Sequence, residues 1–118
     1  MIQKEKVLDE IIKRYKNPQH KGIPLCYNYK KEADNPLCGD DITIYITCEN
    51  EIITKASFYG NGCSISQGCA DLMCERIIGL YKNELQDLEF DLFNLEESTI
   101  SKSRYKCATL CLEAIKNI

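Results

Sequence analysis

No run of apolar residues in this chain approaches the roughly 18 that a membrane-spanning helix requires, so no membrane association is expected. The N-terminus, Met1-Ile-Gln-Lys-Glu-Lys, is charged and lacks the apolar core of a secretory signal. Positive charge is not in excess: the formal net charge is −3, which argues against a nucleic-acid or anionic-membrane surface. There is no internal repeat and no low-complexity linker. Histidine occurs once, at His20 between Gln19 and Lys21, and reads as a solvated loop residue. What these absences leave is a soluble, cytoplasmic chain of 118 residues, expected to form a single domain over 1–118.

What the chain has in abundance is cysteine, eight in 118 residues. The even number permits a disulfide framework, but disulfides persist in exported proteins and no export signal is read here. Where thiols stay reduced, such a sequence binds metal, handles sulfur or packs thiols into its core.

Residues 3–16 are predicted as an amphipathic helix, with Val7, Ile11 and Tyr15 on one line and Leu8 and Ile12 beside it; Asn17-Pro18 ends it. Residues 25–30 are read as a short strand. Residues 42–48 alternate, with Ile42, Ile44, Ile46 and Cys48 on one face, and 52–59 return as a second strand after a turn at Glu49-Asn50. Gly60-Asn61-Gly62 breaks the sheet, and 64–79 form a helix with a stripe of Ile65, Cys69, Leu72, Met73 and Leu80. Residues 82–98 are acidic, expected as short helical turns and a solvated face. A last helix, capped by Ser101 or Ser103, places Cys107, Cys111, Ala114, Ile115 and Ile118 together. The expected class is α+β: a small antiparallel sheet of about three strands with helices packed on one face.

Three cysteines stand where packing alone would not put them. Cys38 lies in a turn, Asn35-Pro36-Leu37-Cys38-Gly39-Asp40, in which Gly39 permits a fold tight enough for Cys38 and Asp40 to face one point. Cys63 follows Gly60-Asn61-Gly62 and precedes a helix, where amide N–H groups favour a thiolate. Cys107 opens the last helix behind Arg104 and Lys106, cations that favour a thiolate if close. The intervals of 25 and 44 residues exclude a Cys-x₂-Cys zinc ribbon and a thioredoxin-like pair. Spacing this long does not by itself bring the residues together.

The segments Asn35–Asp40 (N-P-x-C-G-D), Gly60–Ser66 (G-x-G-C-S-I-S) and Arg104–Leu110 (R-x-K-C-A-x-L) resemble, in this order, the NifU N-terminal, or IscU/SufU, family of iron–sulfur cluster assembly proteins. Asn17-Pro18 with Lys21-Gly22 is similar to the element that follows the family's first helix. The resemblance implies a metal site of Cys38, Asp40, Cys63 and Cys107. It further implies sulfur received from a cysteine desulfurase by one of Cys38, Cys63 and Cys107; Cys107 is the expected acceptor, with Lys106 beside it expected to stabilise its thiolate. A transient [2Fe–2S] cluster would form there and pass to apo iron–sulfur acceptor proteins, making the chain a non-enzymatic scaffold. The alternative is a SufU-like zinc-dependent sulfurtransferase with Zn²⁺ in the same site. Lys106, where IscU scaffolds carry histidine, is similar to the SufU branch; the 44-residue interval lacks that branch's insertion. The Leu-Pro-Pro-Val-Lys element used by a dedicated Hsp70-type chaperone is absent, which argues against that partner. A purely structural zinc is disfavoured by the Asp ligand.

The remaining cysteines have plainer readings. Cys48 continues the isoleucine face, Cys26 is expected in the core, and Cys69, Cys74 and Cys111 are expected as core thiols near the site, where a migrating sulfur would find them.

Overall fold

The computed structural model describes residues 4–36, 39–88 and 102–116, with side chains placed from residue 9 in the first segment and residue 105 in the last. In chain order the elements are α1 (Lys4–Lys16), β1 (Tyr29–Asn35), β2 (Asp40–Glu49), β3 (Ile52–Asn61), α2 (Ser64–Ile77), a 3₁₀ turn (Lys82–Asp87) and α3 (Lys102–Ile115). The alternating isoleucines decide the sheet. Ile42, Ile44 and Ile46 are fully buried on one face of β2, opposite Gly60, Phe58 and Ala56 of β3. Each large apolar side chain so buried contributes about 1.5–3 kcal/mol. The strands form an antiparallel meander, β1-β2-β3, and α2 and α3 pack on the isoleucine face while α1 packs on α2. The predicted α+β class and the helices on one face are what the structure has.

Several expectations are corrected. The first strand is not 25–30 but Tyr29–Asn35. It is an edge strand, hydrogen-bonded to β2 alone, and edges accept the charged run Lys30-Lys31-Glu32 that disguised it. Residues 25–28 form a loop after Pro24; Leu25 is fully exposed and Cys26 is exposed, not in the core. The turn is one residue later than read: Asn50 and Glu51 both have positive φ, 54° and 69°, as a two-residue hairpin turn of primed type demands. Cys48 keeps the place expected for it on the isoleucine face: across a register shift it pairs with fully buried Ile53, and it is half-buried against the core. In α1, Ile11 is buried but Tyr15 is 45% exposed. The side chains of Val7 and Leu8, and residues 1–3, 89–101 and 117–118, lie outside the described residues, as do the caps proposed at Ser101 and Ser103 and the place of Ile118.

Helix α2 departs furthest from a one-sided stripe: Ile65 through Cys74 are all buried, polar residues included, because α1, α3 and β3 surround it. Its buried Asp71 is fully provided for. Asp71 Oδ2 accepts from Arg14 Nη1 at 2.8 Å, and Oδ1 accepts the backbone N–H groups of Gln19 and His20 at 2.8 and 2.7 Å. Arg14 also donates to Glu75 and Glu10. This clasp ties α1 and the loop after it to the central helix. It holds His20 half-buried, with its imidazole 3.9 Å from Glu75.

Candidate metal centre

Asp40, Cys63 and Cys107 come from three separate elements, and each is delivered by a local device. Asp40 is the first residue of β2. The turn before it closes with the Gly39 N–H donating to the Asn35 carbonyl at 2.9 Å, and Gly39 takes φ +72°, a left-handed conformation suited to glycine. At this same open end of the β2–β3 hairpin, the Asn61 N–H donates to Asp41 Oδ1 at 3.0 Å, so the start of β2 and the end of β3 are locked side by side. Gly62 then passes so close to Asp40 that a Cβ there would collide with Ser66 Oγ and stand 3.2 Å from the Asp40 carboxyl. A side chain at 62 would have to push Ser66 Oγ aside and would press on the Asp40 carboxyl.

Cys63 is the N-cap residue of α2, in extended conformation, and its side chain makes no capping bond. Its carbonyl is instead held twice, by the Gln67 N–H at 3.1 Å and the Ser66 hydroxyl at 3.1 Å, which fixes the backbone and leaves the thiol for the site. Cys107 lies in the second turn of α3 and is 4% exposed; Asp40 is 5% exposed and Cys63 half-buried.

The ligand atoms of these three residues all lie within 4.8 Å of one another. Small side-chain rotations bring all three to metal-bond lengths of about 2.0–2.3 Å. Asp40 Oδ2 is buried and has no hydrogen-bond partner among the described residues, an arrangement costly for a carboxylate unless a cation completes it. Two thiols and one carboxylate are a donor set for zinc or iron. The residues present therefore fit such a metal. Cys38 lies outside the described residues. Lys106 is exposed next to Cys107, and His20 is not among the converging groups.

The three core thiols behind this corner behave differently. Burial pushes the Cys69 and Cys74 thiols well up, and Cys111 up to about 12. Cys69 lies within electrostatic range of Cys111, Cys63 and Cys107, so further negative charge there is resisted. These thiols stay protonated at neutral pH, and the expectation of core cysteines holds for all three, with Cys69 in electrostatic range of Cys63 and Cys107. Sequence reasoning gave no role to Gly62, Ser66 or Gln67, which hold the site together; the Gly-x-Gly-Cys-Ser-Ile-Ser run of 60–66 carries Gly62 and Ser66, but nothing local singles out Gln67.

The family model described as NifU-like N terminal domain matches residues 6–118. The zinc-dependent sulfurtransferase SufU of Bacillus subtilis (strain 168) is 33% identical to this chain, over 90% of the chain and 84% of the relative. The iron–sulfur cluster assembly scaffold protein IscU of Thermotoga maritima is 35% identical, over 73% of the chain and 72% of the relative. Among solved structures, the N-terminal part of a NifU-like protein from Brucella abortus superposes with a TM-score of 0.76, covering 94% of this chain and 93% of that one at 18% identity. That last likeness speaks for the fold.

Proposed function

The chain belongs to the NifU-like N-terminal domain family, and on that footing we propose that it is a scaffold on which an iron–sulfur cluster is assembled and from which it leaves. The observation that carries this reading is the meeting of Asp40, Cys63 and Cys107, with one Asp40 oxygen buried and unpartnered. Cys38, two residues before Asp40 in the sequence, is the fourth ligand in this proposal. Iron and sulfide are the cargo. Thiolates hold iron firmly, whereas a carboxylate is a harder and weaker partner, so a site with one Asp binds its cargo and also lets it go. A [2Fe–2S] cluster suits four such ligands.

Sulfur arrives from a cysteine desulfurase. The Cys107 thiolate attacks the outer sulfur of the desulfurase persulfide; the new S–S bond forms on Cys107 as the old one breaks, and the desulfurase thiolate leaves with the electron pair. Lys106, exposed beside Cys107, stabilises the charge on the attacking thiolate. Apo iron–sulfur proteins receive the finished cluster. The work belongs in the cytoplasm, where such thiols remain reduced.

A second reading is supported by the 33% identical relative from Bacillus subtilis. In it the same four residues hold Zn²⁺, which keeps the thiols deprotonated, and Cys107 passes sulfur onward without a cluster. The two are separated by giving oxygen-free protein Fe²⁺, cysteine and a desulfurase. Visible charge-transfer bands, and their transfer to an apo-ferredoxin, are expected. Stimulation of the desulfurase by the colourless zinc form, with no transferable cluster, would replace the scaffold by the transferase. Cys63→Ser is expected to abolish both cluster assembly and stoichiometric zinc binding; unchanged metal content would remove Cys63 from the site.

A further inference from the structure

Among the described residues, two side-chain oxygens or nitrogens are buried without a hydrogen-bond partner: Asp40 Oδ2 and Gln67 Oε1. Both flank the same stretch, residues 60–63. Asp40 lies against Gly62. Gln67, 4% exposed, stands one helical turn beyond Cys63 and donates its backbone N–H to the Cys63 carbonyl. Its side-chain Nε2 donates to the Gly60 carbonyl at 3.3 Å, which fixes the orientation of the amide and leaves the oxygen as the end without a partner. The metal reading accounts for the Asp40 oxygen. It does not account for the one on Gln67.

A carbonyl oxygen needs a donor. The metal-bound forms of Asp40, Cys63 and Cys107 are acceptors only, so none of these ligands provides one. Among the described residues no donor meets it, and a donor brought in with the cargo would fill that gap. We propose that Gln67 is a positioning residue of the metal site, its side-chain carbonyl accepting a hydrogen bond from an exchangeable O–H or S–H ligand, water or hydrosulfide, carried by the metal while the site fills and empties. The inference rests on the metal site of the preceding subsection and extends it: a site that must exchange its contents keeps one hydrogen-bond acceptor for a ligand that is not part of the protein. Ser66 and the Gln67 backbone hold Cys63, and the Gln67 side chain attends to what binds there.

The test uses Co²⁺ titration of the metal-free protein, followed by thiolate charge-transfer absorption, with and without sodium sulfide, beside the thermal midpoint of the metal-free form. Gln67→Met keeps the length and removes both the acceptor and the Nε2 donor. Gln67→Glu keeps an acceptor, removes the donor to Gly60 and adds a carboxylate charge, so its Co²⁺ spectrum is compared with that of the unsubstituted protein to detect direct ligation by the new carboxylate. Expected are a Co²⁺ affinity about fivefold to tenfold weaker in Gln67→Met, the worth of one hydrogen bond, an altered visible band pattern, and recovery of affinity in Gln67→Glu despite a lower thermal midpoint. A deficit with Co²⁺ alone identifies water as the donor, and one confined to added sulfide identifies hydrosulfide. Unchanged Co²⁺ affinity in Gln67→Met, or losses in both variants that track the thermal midpoint, would reduce Gln67 to a structural residue. Failure of the unsubstituted protein to bind Co²⁺ would overturn the metal site itself.

Discussion

Asp40 and Asp71 are both buried carboxylates on the same small molecule, and they have been furnished in opposite ways. Asp71 receives three hydrogen bonds, two from backbone N–H groups and one from Arg14, and is left with nothing to offer a ligand. Asp40 keeps an oxygen out of water with no donor to meet it. Burial alone therefore says little about what an acid does. The number of donors aimed at it separates an acid that fastens two helices from one that waits for a cation.

The sharpest way to break this contrast is to remove each acid in turn. Asp71→Ala takes the acceptor from two N–H groups and one of three carboxylate partners from Arg14, and should lower the unfolding free energy by about 1–3 kcal/mol in urea titrations. The metal affinity of the remaining folded protein should not change. A loss below about 1 kcal/mol would mean that the clasp is not what fastens α1. Thiols offer a second division. The folded state holds Cys69, Cys74 and Cys111 neutral, the last up to about 12, whereas an unfolded chain ionises its thiols near about 8.5. Because the folded values are raised, their stabilising effect is complete below about pH 8.5 and is lost as pH climbs beyond it, by about 1.4 kcal/mol per pH unit for each thiol. Urea midpoints between pH 8 and 10 should show this slope, and Cys111→Val should make it shallower; an unchanged slope would show that Cys111 is not held neutral. The smallest effect on stability belongs to Asp40→Ala. Removing an unpartnered acceptor should leave the metal-free protein within about 1 kcal/mol of the original, while a cluster assembled on the variant should persist longer than on the unsubstituted chain. A sharp loss of metal-free stability would show that Asp40 is a second Asp71.

How much of this could be read beforehand followed from how local each cause was. The isoleucine alternation of β2 is a short-range pattern and was legible; the break expected at Gly60-Asn61-Gly62 comes only at Gly62, because Gly60 and Asn61 still pair with Ile42 and Asp41. Strand β1 was not legible, since an edge strand needs one neighbour and tolerates lysines that a sequence pattern counts against it. Cys26 was misplaced for the same reason: it was assigned to a strand that begins three residues later. The Asp71 clasp joins residues 57 positions apart, and no periodicity announces such a pair. The site was half legible. Motif resemblance pointed to Asp40, Cys63 and Cys107, but their meeting depends on the packing of α3 against the sheet, which spacing does not encode. Gln67 had no signal at all, because an unpaired oxygen is a property of surroundings and not of sequence.

The two-residue turn at Asn50-Glu51 has a consequence in time. It joins strands adjacent in sequence, so the β2–β3 hairpin closes over a short loop and is expected among the early events of folding. Asp40 and Cys63 stand at the open end of that hairpin, so half of the site is gathered by a local event. Cys107 comes from a segment 44 residues further on and arrives only when α3 docks. Pulsed hydrogen exchange during refolding should therefore protect hairpin amides before those of α3; simultaneous protection would refute the sequence of events. Iron or zinc present during synthesis would first meet a two-pronged chelate, and the last helix to settle is the one that shuts it.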